Sequence, residues 1–250
     1  MEVLAIIPAR GGSKSIPRKN IRLFAGHPLI AYSIAAGKAA QSVKRLIVST
    51  DDQEIAEICR QYGAEVPFVR PAEFAQDDTP DLPVFSHALR WLEEQECYRP
   101  DLIVHIRPPS PLRPPQLIDD AVELLRQTPE ADSVRGIGVA HHTPYKMWCK
   151  QDDGFLRPLL TDTSGERYNM PRQSLPTVYW HTGHIDVMRY ETLMQKHSMS
   201  GDLILPLIID PHYCIDIDTE EEWIYAEWLL NSGKIAVIPP TCLSRQERTL

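Results

Sequence analysis

The chain has 250 residues, a formal net charge of -8, and 43% hydrophobic against 24% charged residues. These proportions describe a globular protein with a substantial core, and the acidic balance argues against nucleic acid as the main partner. Nothing reads as a membrane span or a secretory leader, and the scattered cysteines (Cys59, Cys97, Cys149, Cys214, Cys242) lack disulfide or metal spacing, so reduced thiols in a cytoplasmic protein are expected.

Val3 to Ile7 is an apolar run of the length of one buried strand. It breaks into Ala9-Arg10-Gly11-Gly12-Ser13-Lys14, where paired glycines permit close backbone approach to a ligand and a nest of N–H groups for an anion. Arg10, Lys14, Arg18, Lys19 and Arg22 crowd around them. In so acidic a chain, that local reversal of sign points to a polyanion, with phosphates the first expectation. The spacing fits neither a P-loop nor the dinucleotide fingerprint, which disfavours a P-loop hydrolase.

Further along, Pro28 to Ala40 reads as a helix, Arg45 to Thr50 as a strand, and Asp51-Asp52 as a helix start that Tyr62-Gly63 ends. Glu65 to Val69 reads as a short strand whose proline suggests an edge or an end, Leu82 to Glu96 as a helix, and Asp101 to Ile106 as a buried strand. The proline-rich run from Arg107 to Pro115 is a rigid connection into the helix Gln116 to Gln127 and suits the wall of a site. Strand-like runs at Ser133 to Ala140 and Thr177 to Met188 flank an aromatic segment with Tyr145, Trp148, Phe155 and Tyr168. Asp202 to Ile209, Tyr213 to Ile217 and Ile235 to Ile238 read as strands, and Glu220 to Leu230 as the last helix. Alternation of this kind implies an α/β fold with a mostly parallel sheet between helices. The expected organisation is one domain over residues 1–250, with an arm at about 140–190.

Asp216 and Asp218 would share a strand face, and paired carboxylates suit Mg²⁺, which also takes substrate phosphates. Asp218 has a competing structural reading beside Thr219 and Glu222, which spell a helix capping box. His141, His142, His181 and His184 form no metal spacing and read as polar lining or surface.

Ile7-Pro-Ala-Arg-Gly-Gly-Ser-Lys with Lys19-Asn20, Ser49-Thr-Asp51, Arg70-Pro-Ala-Glu73, Pro108 to Arg113, His142-Thr-Pro-Tyr-Lys146, Pro171-Arg-Gln173 and Asp216-Ile-Asp-Thr219 together resemble the acylneuraminate cytidylyltransferases, also called CMP-sialic acid synthetases. The resemblance implies a Rossmann-like nucleotidyltransferase, usually a homodimer joined by its arm, that combines CTP with a nine-carbon 2-keto sugar acid and releases pyrophosphate. It implies catalytic roles for Arg10, Lys19 and Asp218, and a nucleotide site of Arg10, Gly11, Gly12, Ser13, Lys19, Asn20, Arg70, Thr79 and Ser110. It further implies acceptor contacts from Arg107, Lys146, Arg172 and Gln173, and Mg²⁺ held by Asp216 and Asp218. Two positions depart from the family pattern: Arg107 stands where glutamine is common, and Thr182-Gly183 where Asn-Gly is common. Both fall at the acceptor end, which leaves another ulosonate or nucleotide as an alternative. A non-catalytic nucleotide-binding regulator is the alternative from a different class.

Overall fold

Residues 1–161 and 165–243 are described by the computed structural model. The elements in chain order are β1 (Val3–Pro8), β2 (Leu23–Phe24), β3 (His27–Pro28), α1 (Leu29–Ala39), β4 (Arg45–Ser49), α2 (Gln53–Gln61), α3 (Asp81–Glu96), β5 (Leu102–His105) and α4 (Leu117–Gln127). They continue with β6 (Ser133–Val139), β7 (Trp148–Lys150), β8 (Leu156–Pro158), β9 (Tyr179–Arg189), α5 (Tyr190–Met194), β10 (Ile204–Ile208) and α6 (Glu220–Asn231). Among the described residues one six-stranded sheet has the order β10-β6-β9-β5-β1-β4. β1 runs parallel to both β4 and β5, and β10 parallel to β6, whereas β9 lies antiparallel between β5 and β6.

The uninterrupted apolar run of β1 follows from burial on both faces. Leu4 and Ile6 pack with Phe85 and Leu89 of α3 on one side, and Ala5 and Ile7 join Ile34 of α1 on the other. Local chemistry sets the helix starts. The Asp52 carboxylate accepts from the Ile55 N–H at 3.0 Å at the head of α2, and Thr219 with Glu222 forms a reciprocal capping box on α6.

Three expected strands do not form. Glu65 to Val69 touches β4 only through single parallel bridges, Ile47 to Glu65 and Thr50 to Val69, because Pro67 between them cannot donate to a ladder. Tyr213 to Ile217 is an irregular segment whose Ile217 N–H donates to the Pro109 carbonyl at 2.8 Å. Ile235 to Ile238 is also irregular, with the Ala236 N–H taken by the Tyr213 hydroxyl.

β10 is anchored to the sheet by one carboxylate. Asp132 accepts from the N–H groups of Asp202 (2.8 Å) and Leu203 (3.1 Å) and from the Lys196 ammonium (2.7 Å). The Lys196 hydrogen bond, with these N–H groups, pulls its pKa down to about 2. The folded value thus lies below the unfolded one of about 3.9, so this contribution is present above about pH 4 and is lost as pH falls through the folded pKa. Asp132→Ala is expected to cost about 1–3 kcal/mol at pH 7. In urea titrations, the gap from the parent protein should narrow as the pH is lowered from 5 towards 2.

Candidate active site

A cavity of about 430 Å³ opens where β1 and β5 end, lined by Pro8 at the end of the first strand and Arg10 after it, and by His105 and Arg107 at the second. β1 is flanked by β4 and β5, which the chain reaches in opposite directions. This is the switch point of an open α/β sheet, where a ligand crevice is expected.

The loop after β1 supplies one wall through Arg10, Ser13, Lys19 and Asn20. Lys19 begins a short 3-10 turn and is buried. Its ammonium donates to the Ile217 carbonyl at 2.8 Å and to Asp218 at 3.0 Å, so it is fixed at the cavity floor. Asn20 donates to the Arg10 carbonyl at 3.0 Å and holds the loop closed upon itself. Arg10 reaches the Gln76 carbonyl (2.8 Å) and Asp77 (3.1 Å), and Lys14 pairs with the same Asp77.

Several expectations about this loop need correction. Gly11 and Gly12 do not form an open nest: neither has a positive φ, and the Gly11 N–H donates to Asp51 at 3.1 Å. Glycine is needed at position 11 for space, since a Cβ there would lie 2.7 Å from the Asp52 carboxylate. Arg18 pairs with Asp52 and Glu54, and Arg22 pairs with Glu220 while covering the Trp223 ring, so neither faces the cavity.

Arg70 and Thr79 line the opposite wall. The Arg70 guanidinium is 5% exposed, and burial lowers its pKa. Its nearest carboxylate, Asp51, is 3.8 Å away, and its Nε and Nη2 have no hydrogen-bond partner. An unsatisfied buried donor costs about 1–3 kcal/mol, which a ligand oxygen or ring nitrogen would offset.

The two carboxylates converge without sharing a strand. Asp216 is half-buried and accepts from the Ser110 hydroxyl at 3.2 Å; Asp218 is exposed and pairs with Lys19. Burial, and then the neighbouring Asp218, push the Asp216 pKa up against the opposing pull of Ser110, Lys19 and Arg107. Ser110, expected at the nucleotide, is fully buried outside the cavity lining, and its hydroxyl supports Asp216. Gly183, with φ 72°, leaves this corner open: a Cβ there would sit 3.0 Å from Ser110 Oγ and 3.3 Å from Asp216 Oδ2. Among the described residues no group of three or more His, Cys, Asp or Glu could hold an ion. The donor set of two hard carboxylates, one kept short of counter-charge, fits Mg²⁺ completed by substrate phosphates.

The proline-rich loop is pinned by a residue that sequence reasoning left without a role. Arg113 is fully buried and donates to the His184 carbonyl (2.8 Å), the Ser33 hydroxyl (3.0 Å) and the Arg107 carbonyl. Burial lowers its pKa to about 9. Arg107 projects from this braced backbone and donates to Asp81 at 2.9 Å. Asp81 passed unnoticed because an acid at a helix start has an ordinary explanation. Asp186 passed unnoticed because it lies in the middle of an apolar strand.

Lys146 and Arg172 are not brought to this cavity. They line a separate groove of about 530 Å³ with His141 and His142, and Arg172 donates to the Ala140 carbonyl at 2.9 Å. Gln173 is exposed and lines neither space.

Comparison with known proteins agrees with this geometry. Residues 4–147, more than half of the chain, match the family described as Cytidylyltransferase. The chain is 30% identical over 246 residues to the CMP-N,N'-diacetyllegionaminic acid synthase of Legionella pneumophila, covering 95% of this chain and 100% of that one. It is 32% identical to post-translational flagellin modification protein B of Campylobacter coli, covering 94% and 97%. The solved structure of a CMP:2-keto-3-deoxy-manno-octonic acid synthetase complexed with CTP superposes with a TM-score of 0.67 at 14% identity, covering 93% and 99%, which supports the Rossmann-like nucleotidyltransferase fold. A family match over more than half of the chain and a relative at 30% identity aligned along its full length show that the chain belongs to the cytidylyltransferase family of nucleotidyltransferases.

Proposed function

We propose that this protein is a Mg²⁺-dependent cytidylyltransferase that joins CTP to a sialic-acid-like nonulosonate, giving the CMP-sugar and pyrophosphate. The observation that carries the reading is the cavity itself, with Arg10 and Lys19 on one wall, Arg70 with two unpartnered nitrogens on the other, Asp218 in its lining and Asp216 close behind Asp218. The acceptor is read from kinship: relatives include a legionaminic acid synthase and pseudaminic acid and N-acylneuraminate cytidylyltransferases.

In this reading the anomeric hydroxyl attacks the α-phosphorus and pyrophosphate leaves. Arg10 and Lys19 neutralise charge that grows on the leaving oxygens, and they are held in place beforehand, so little reorganisation is needed. Asp216 and Asp218 would hold Mg²⁺, which supplies further phosphate neutralisation and makes the attacking hydroxyl more acidic. Arg70 presents N–H donors, which suit the O2 and N3 acceptors of cytosine; uracil would turn a donor towards them at N3.

The arm carries exposed Phe155 and Leu156, and Trp148 packs on Tyr168 at 4.6 Å between ring centres. Apolar surface of this kind supports a homodimer joined through the arm, and Lys146 and Arg172 would then act from the arm. Five free cysteines suit the reducing cytoplasm. No helix among the described residues is long and apolar enough to cross a membrane.

The test is pyrophosphate release with and without Mg²⁺, crossing CTP, UTP, GTP and ATP with N,N'-diacetyllegionaminic, pseudaminic and N-acetylneuraminic acids. Release only with CTP and a nonulosonate is expected. Tight CTP binding with no release from any pair would instead favour a nucleotide-binding regulator.

A further inference from the structure

A cluster of charged residues that reaches from the cavity wall into the sheet has no part in the chemistry above. Asp186 in β9 is only 4% exposed, and its carboxylate divides its two oxygens between two directions. Oδ1 accepts from Arg135 Nε at 2.9 Å, its cross-strand neighbour in β6. Oδ2 turns towards the cavity side, 3.1 Å from His181 Nε2 and 3.6 Å from Arg107 Nη2. Arg107 is also in contact with His181 (3.2 Å) and bonded to Asp81 (2.9 Å).

This grouping depends on an irregularity in the sheet. His181 and Asp186 are five residues apart, which in a regular strand would separate them by about 17 Å. The register of β9 against β6 shifts between Arg135 and Ile137, and Gly183 at φ 72° lies in the displaced stretch. The bulge thus folds His181 back onto Asp186. His105 faces Asp186 from β5, but it is fully buried, neither ring nitrogen has a partner, and burial pulls its pKa to about 3. The carboxylate is held below its usual pKa against the cost of burial, chiefly by the His181 hydrogen bond.

One arginine is enough to balance a buried carboxylate, and Arg135 already does so. His181 Nε2 donates to Asp186 and so cannot also accept from Arg107; Asp81 and Asp186 engage at most two of the five N–H donors of Arg107, which lines the cavity. We propose that Asp186, together with His181, is a positioning residue for acceptor recognition, holding the Arg107 guanidinium so that its free N–H groups meet an oxygen of the sugar acid. This rests on the reading of Arg107 as an acceptor-binding residue. It assigns the acceptor end a fixed donor set suited to a carboxylate or acyl oxygen, where a glutamine would offer a neutral amide.

The experiment is a double-mutant cycle in the full-length enzyme, with whichever of the three nonulosonates above the parent protein turns over. Arg107→Gln is expected to raise the acceptor KM by about tenfold or more, with the CTP Kd within about twofold. Asp186→Asn is expected to do nearly the same, and the double variant should be no worse than Arg107→Gln alone, because the two act as a unit. Additive effects, an unchanged acceptor KM in Asp186→Asn, or an equal loss of CTP affinity would overturn the positioning role. Should Asp186→Asn not fold, His181→Gln, at the more exposed edge of the cluster, decides by the same criterion: its effect must vanish in the Arg107→Gln background. If Arg107→Gln leaves the acceptor KM unchanged while turnover persists, the acceptor reading of Arg107 falls and this proposal with it, and nucleotide transfer stands.

Discussion

Replacing Lys19 with methionine is expected to lower turnover by about 10²–10³-fold, the usual effect of losing one preorganised electrostatic donor at a reaction centre. The side chain is buried, and its ammonium is fixed by the Ile217 carbonyl and Asp218. It needs no rearrangement to meet charge on a departing pyrophosphate. Methionine fills a similar volume, so the loss should appear in kcat, with a smaller change in stability from the freed Ile217 carbonyl, about 1 kcal/mol. Single-turnover measurement of pyrophosphate release at saturating CTP separates this from weaker binding. A kcat within a few-fold of the parent would remove Lys19 from the transition state.

Asp216→Asn is expected to abolish Mg²⁺-dependent turnover and yet leave the folded chain as stable as before, or more so. The sign follows from the carboxyl's surroundings. Burial and Asp218 oppose ionisation, so the folded pKa lies above the unfolded one. Ionised Asp216 therefore weighs against the fold at neutral pH, and the penalty grows as pH rises from the unfolded towards the folded pKa. Asparagine removes that charge and still accepts from the Ser110 hydroxyl. Thermal midpoints recorded with and without Mg²⁺ and CTP give a second readout. The parent should gain stability from Mg²⁺ together with CTP, and the variant should gain much less. Retained turnover in the variant would end the assignment of this residue to the metal.

These two residues also show where reading the sequence works and where it stops. Lys19 was legible because a cationic cluster after a glycine turn is a contiguous signal. Its neighbours Arg18 and Arg22 looked equivalent and were not, since Asp52, Glu54 and Glu220 meet them from elsewhere in the chain. The pairing of Asp216 with Asp218 was legible, but through a strand that does not exist. Its carboxylate meets Ser110 and approaches Asp218 because the segment from Tyr213 is irregular and tied to Pro109.

The order of the six main-sheet strands and of α1 to α4 and α6 was legible in the sequence alone, since it rests on local properties: the doubly buried run of β1, the Asp52 cap of α2, and the Thr219 and Glu222 box of α6. So was the likeness to the cytidylyltransferases, carried by short contiguous motifs. Only the tertiary structure decided that Arg70 is buried with its Nε and Nη2 lacking hydrogen-bond partners, that Lys146 and Arg172 lie outside the cavity of their own chain, and that Asp186 reaches His181 and Arg107. Strand periodicity constrains which face a side chain takes, whereas a three-residue register shift and a glycine at positive φ choose its distant neighbours, and neither leaves a repeating pattern along the chain.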